Sequence, residues 1–216
     1  MASKPPVTER VAIPGPAGDL QALIEIPQPW DESKPVKAFA VVCHPHPLHG
    51  GTLDNKVVYT VARAFEERGV PAIRFNFRGV GTSAGQYDEG IGETEDALAV
   101  IAYGRQRWPG AALWLGGFSF GGAVAIHAAA RAHAQRLVLI SPAVGRLRIP
   151  AMASLPSTTL VVQGDADDVI EPHTVLDWAQ TATPAPRVSV LTGAGHFFHG
   201  RLHELRETVL AFLDAS

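Results

Sequence analysis

From Lys37 onward, short runs of apolar residues alternate with helical segments, and this rhythm constrains the chain more than any other feature. "AFAVVC", "PAIRFNF", "AALWLGGFS", "RLVLISPA", "TTLVVQGD" and "RVSVLTG" are strand-like and almost continuously apolar. Between them lie "NKVVYTVARAFEERG", "ETEDALAVIAYGRQRW", "FGGAVAIHAAARAHA" and "HTVLDWAQTA", with "HELRETVLAFLDA" closing the chain. Strands apolar at every position must be covered on both faces, so the pattern predicts α/β architecture, a mostly parallel sheet between helices. Ahead of it, "RVAIPG" and "LQALIEIP" flank "PAGD" and predict a β-hairpin. The 216 residues suffice for one domain, 1–216, with a full core.

Composition removes several function classes. Eighteen Lys and Arg against 21 Asp and Glu, with no basic run, argue against nucleic acid or an anionic membrane as partner. The single cysteine, Cys43, rules out an intrachain disulfide framework and fits a reducing compartment. "MASKPPVTERVAIPGPAG" offers no signal-peptide core, so a soluble cytoplasmic protein is expected.

In parallel sheets the chemistry sits in loops beyond the C-terminal strand ends. One such loop carries Gly117-Phe118-Ser119-Phe120-Gly121, a Gly-x-Ser-x-Gly pattern between an apolar strand and a helix. Reversal within about one residue forces the central serine into strain and demands tiny neighbours. Such a turn exposes the Ser119 hydroxyl and leaves the Phe120 amide at a helix N-terminus, facing any oxyanion. The bland alternative is a helix-capping serine with glycines that ease packing.

A serine nucleophile needs a base, and the base needs an orienting acid. "LTGAGHFFHG" places His196 just past the last strand, ahead of His199 and His203. "VVQGDADDVIEP" offers Asp165, Asp167 and Asp168, of which at least one should merely form the turn. The residues alone leave the choice among the three open.

"HPHPLHGGT", "RFNFRGVGTSAG" and "GAGHFF", taken with the serine turn, resemble the α/β-hydrolase superfamily. More narrowly they resemble its compact bacterial serine hydrolases, relatives of the dienelactone hydrolases. The resemblance runs from about Ala38 to the C-terminus and implies an α/β-hydrolase fold. The superfamily's Gly-x-x-Asp-x-Val pattern aligns Asp167 with the acid, ahead of Asp168 and Asp165. Dienelactone hydrolases use a cysteine nucleophile; the serine here means their substrate does not carry over.

The first strand's loop, "VVCHPHPLHGG", puts His44, His46 and His49 close together and invites a metal-site reading. No acid stands beside them, and Cys43 should point into the sheet, so no metal is expected. The superfamily instead places its second oxyanion donor here. Pro45 and Pro47 lack an N–H, leaving His46 and Leu48, and the resemblance favours His46. His44, Leu48, Phe118 and Phe197 are expected in the substrate pocket, with Phe77–Glu93 as a further wall. Arg74 and Arg78 are expected in structural ion pairs. The segment "AVGRLRIPAMASLPS" is too short for a helical cap, so an open site is expected.

The expected activity is hydrolysis of a small acyl ester through Ser119, His196 and Asp167, with no cofactor, in a monomer or homodimer. A peptidase or amidase would run on the same residues. A non-catalytic binding module would normally lack one of them.

Overall fold

A computed structural model describes residues 5–145 and 155–215. Within them, β1 (Val7–Gly15) and β2 (Gly18–Ile26) form the N-terminal hairpin, turning at Pro16-Ala17. The alternation then runs β3 (Ala38–Cys43), α1 (Lys56–Glu66), β4 (Ala72–Phe75), α2 (Ile91–Arg107) and β5 (Ala112–Phe118). It continues through α3 (Phe120–Ala132), β6 (Arg136–Ile140), β7 (Thr158–Gly164), α4 (Pro172–Thr181), β8 (Arg187–Leu191) and α5 (Leu202–Asp214). The sheet order is β1-β2-β4-β3-β5-β6-β7-β8. From β4 to β8 every pairing is parallel, and β2 joins β4 antiparallel.

The apolar runs are explained by two cores, one on each face. Along β3, Phe39, Val41 and Cys43 face one core while Ala38, Ala40 and Val42 face the other. A strand so placed has no solvent side, and its sequence shows no polar alternation. Edge strand β8 is half-exposed, with Val188 and Val190 open to solvent. Truncating a core ring such as the fully buried Phe39 should cost about 3–5 kcal/mol.

The strand read from "PAIRFNF" stops at Phe75. Just past it, the Asn76 amide still donates to Gln21 O on β2 (2.8 Å), while its side-chain oxygen takes the Leu53 amide (2.8 Å). The loop beyond is fastened by Arg78, whose guanidinium grips both Asp96 oxygens at 2.7 and 3.0 Å. Arg74 grips both oxygens of Glu25 at 2.7 and 2.8 Å. Both arginines thus make the structural pairs their sequence setting suggested. Of the segment expected to leave the site open, 146–154 lies outside the described residues. No helix among the described residues is long and apolar enough to cross a membrane.

Candidate active site

The chain reverses between β5 and α3 at Ser119 alone, with φ 55° and ψ −117°. A left-handed φ at a non-glycine residue costs about 1–3 kcal/mol and persists only where the surroundings over-determine it. They do: the Ser119 amide donates to Ile140 O (2.9 Å), and its carbonyl accepts from Gly122 (2.9 Å) and Ala143 (3.0 Å). A Cβ at Gly117 would lie 2.3 Å from Gly121 O, and one at Gly121 would lie 2.4 Å from Cys43 O and His44 O. No larger residue fits at either glycine. The serine side chain makes no capping bond to α3, so the bland helix-cap role is not the one it plays.

His196 follows β8, and its Nδ1 lies 2.8 Å from Asp167 Oδ2, both groups buried. Asp167 Oδ1 accepts from the amides of Val169 (2.9 Å) and Ile170 (2.8 Å), while Gln163 Nε2 adds a donor to Oδ2 at 3.1 Å. Burial raises the carboxyl's pKa, but the bonds from His196, Ile170 and Val169 offset it, holding Asp167 below the ordinary value. An ionised Asp167 can only accept, so His196 carries its proton on Nδ1, and its Nε2 is the acceptor. Phe118 packs against the imidazole with ring centroids 4.8 Å apart.

The other candidates separate cleanly. Asp165 takes the Gly193 amide at 2.6 Å, a bond that ties the β7 and β8 loops together. Asp168 is exposed. His199 is exposed as well, and His203 lies on α5, facing Glu207 at 3.9 Å.

Ser119 and His196 open into a cavity of about 370 Å³. Past the β3 and β4 ends its wall is polar, formed by His46, His49, Asn55 and Tyr87. On the β6 to β8 side it is apolar, formed by Ala143, Val169, Ile170 and Phe197. Phe120 lies between them, and no charged side chain lines the cavity among the described residues.

Three residues expected in the pocket do not line it. His44 is fully buried: its Nε2 takes the Phe77 amide at 3.0 Å and its Nδ1–H donates to Pro45 O at 2.6 Å. Burial pushes this imidazole down to about 4, so it stays neutral as a clip between loops. Phe118 belongs to the core behind His196, and Leu48 points to solvent, 68% exposed. Phe197 and His46 do line the cavity, and the expected Phe77–Glu93 wall contributes Tyr87.

The metal reading fails on direction. His44 turns inward with both nitrogens engaged, while His46 and His49 stack face to face at 4.4 Å. No group of three or more metal-ligating side chains occurs among the described residues. Burial raises the Cys43 thiol's pKa, keeping it protonated. Sequence reading missed Gln163, whose one visible signal is a polar side chain inside the apolar run "TTLVVQG". It also missed Asn55, Val169 and Ile170, which only the folded loops bring to the cavity.

Comparison with known proteins places the chain among the α/β serine hydrolases. The family model described as serine aminopeptidase, S33, matches residues 36–155, and the chain belongs to that family. A lidless α/β serine hydrolase from Xanthomonas campestris is 39% identical, with TM-score 0.91 over 96% of this chain and 94% of its own. An α/β serine hydrolase homologue from Coxiella burnetii is 40% identical, with TM-score 0.86 over 94% of this chain and 96% of its own. An uncharacterized protein of Rickettsia prowazekii is 31% identical across 84% of this chain and 80% of its own length.

Proposed function

We propose that the protein is a carboxylesterase that cleaves small acyl esters through a covalent acyl-enzyme. Ser119 Oγ attacks the ester carbonyl as His196 Nε2 takes its proton. Asp167 holds the imidazole in the tautomer that leaves Nε2 free to accept and stabilises the imidazolium that forms. The imidazolium then gives its proton to the departing alkoxide. Water, activated by the same His196, attacks the acyl carbonyl, releases the acid and restores Ser119. None of these steps draws on a metal or organic cofactor.

The oxyanion is assigned to the amides of Phe120 and His46. Phe120 is the first residue of α3, so its N–H has no acceptor within the helix. On the β3 loop, Leu48 is spent, because its amide donates to His46 Nδ1 at 3.2 Å. Pro45 and Pro47 lack N–H groups, and the resemblance to the superfamily places the second donor at His46. The observation that carries the reading is the Asp167–His196 bond beside a serine held at φ 55° over one shared cavity.

The family's description favours a second reading, an aminopeptidase on the same residues. Such an enzyme must pair the substrate's free ammonium with a carboxylate. None lines the cavity among the described residues, and Asp167 is committed to His196. The test is hydrolysis of p-nitrophenyl esters of rising acyl length beside aminoacyl p-nitroanilides, with Ser119→Ala in parallel. Ester turnover limited to short chains and lost on the order of 10⁵-fold in the variant is expected. Faster turnover of the anilides would reverse the order of the two readings.

A further inference from the structure

The cavity's polar wall holds a directed hydrogen-bond donor that the hydrolytic steps do not use. The Tyr87 hydroxyl lies 3.3 Å from His46 Nε2, and the Leu48 amide donates to the same ring's Nδ1 at 3.2 Å. A ring nitrogen that accepts an N–H carries no proton, so His46 is neutral with its hydrogen on Nε2. That hydrogen therefore points at the Tyr87 oxygen, which accepts. The phenol's own hydrogen must turn elsewhere. The ring packs against His46 (centroids 5.0 Å) and Phe120 (5.9 Å), which also touch each other, and Tyr87 lines the cavity.

We propose that Tyr87 is a specificity-determining residue that donates this hydrogen to an uncharged oxygen on the substrate's acyl chain. The proposal rests on the reading of Ser119 as nucleophile. The departing oxygen has to reach His196, which follows β8, so the alcohol lies toward Val169, Ile170 and Phe197. The acyl chain then extends to the opposite side of β5, along His46 and Tyr87. The sheet order places these walls on opposite sides of the serine, since β3 and β4 flank β5 on one side and β6 to β8 on the other. The acyl oxygen is neutral because no cationic side chain lines the cavity among the described residues. The substrate class is short acyl esters with an ether, keto or hydroxyl oxygen a few bonds from the carbonyl.

Two near-isosteric substrates test this: p-nitrophenyl 3-methoxypropanoate and p-nitrophenyl pentanoate, which differ by one oxygen in place of one methylene. Their kcat/KM values are normalised to the hydroxide-catalysed rates and measured in the wild type and in Tyr87→Phe. The wild type should prefer the ether ester. Tyr87→Phe should lose about five- to tenfold more activity on that ester than on pentanoate, the worth of one ordinary hydrogen bond. Equal loss on both esters, or no loss, would overturn the proposal and leave Tyr87 as a prop for His46. Labelling of Ser119 by a fluorophosphonate is run on both proteins to separate the two levels. Labelling with no ether selectivity removes the role of Tyr87 alone. A wild type that neither labels nor turns over either ester removes the nucleophile reading and this proposal with it.

Discussion

Two buried carboxylate clusters sit on opposite flanks of the sheet, and they resolve the cost of burial differently. At the β7 end, Asp167 collects donors from His196, Gln163 and two backbone amides, and is held ionised below the ordinary range. At β2, β4 and α1, Glu25 takes both arms of Arg74 while Glu66 leans on Arg63. There burial first, and then the charge of Glu25, pushes the Glu66 carboxyl up to about 8. By perturbation alone Glu66 would look the more functional of the two. What distinguishes Asp167 is where its strongest donor leads, because His196 opens on a cavity shared with Ser119. A shifted acid marks a site only when its partner has chemistry to do.

The largest expected effect sharpens that contrast. Asp167→Asn keeps the shape of the side chain but replaces an acceptor-only group with one that can donate to Nδ1, favouring the wrong tautomer. Ester hydrolysis should fall by about 10⁴-fold while the fold is retained, as measured by kcat and thermal unfolding together. A loss below tenfold would put Asp167 in the same structural role as Glu25. On the other flank, Arg74→Met leaves Glu25 buried without its partner. Denaturant unfolding should show a loss of about 3–5 kcal/mol, the usual result of stranding one member of a buried pair.

The framework was readable in the sequence because burial on both faces leaves a plain mark. β3 and β5 to β7 are runs with no polar alternation, and only a covered parallel sheet tolerates them. The serine turn was readable for a related reason: its backbone excludes bulk at Gly117 and Gly121, and that exclusion is written in residue type. Side-chain direction leaves no such mark. His44 and His46 both sit before a proline two residues apart, yet one is a buried clip under Phe77 and the other lines the cavity. The three aspartates after β7 read alike until burial and the His196 contact separate Asp167 from its neighbours. Tyr87 reaches the cavity from a loop that Arg78 fastens to Asp96, a contact eighteen residues apart in sequence.

Gln163 offers a finer test of how Asp167 is held. Gln163→Leu removes one of the two donors to Oδ2, along with an amide oxygen that has no partner among the described residues. Without that donor the carboxylate's charge is less satisfied, its pKa moves back up, and it attracts the imidazolium proton more strongly. The acid limb of kcat/KM should shift to higher pH, with a rate loss below tenfold at neutral pH. A uniform loss at every pH would mean that Gln163 only supports the loop.

Glu66→Gln probes the opposite flank, and the sign of its effect follows from linkage. In the unfolded chain the Glu66 carboxyl titrates near its ordinary value, whereas in the fold it does so at about 8. Between those values the folded state holds the extra proton, so stability falls as pH rises and the loss is complete above about 8. Glutamine keeps the shape and an acceptor for Arg63 but cannot ionise. The variant should therefore match the wild type near pH 5 and melt higher at pH 9. At this chain length each kilocalorie recovered appears as about 2–4 °C in Tm. A wild-type Tm that is flat from pH 5 to 9 would show that Arg63 and Arg74 already satisfy both glutamates. The two flanks would then differ in what their carboxylates face and no longer in how burial is offset.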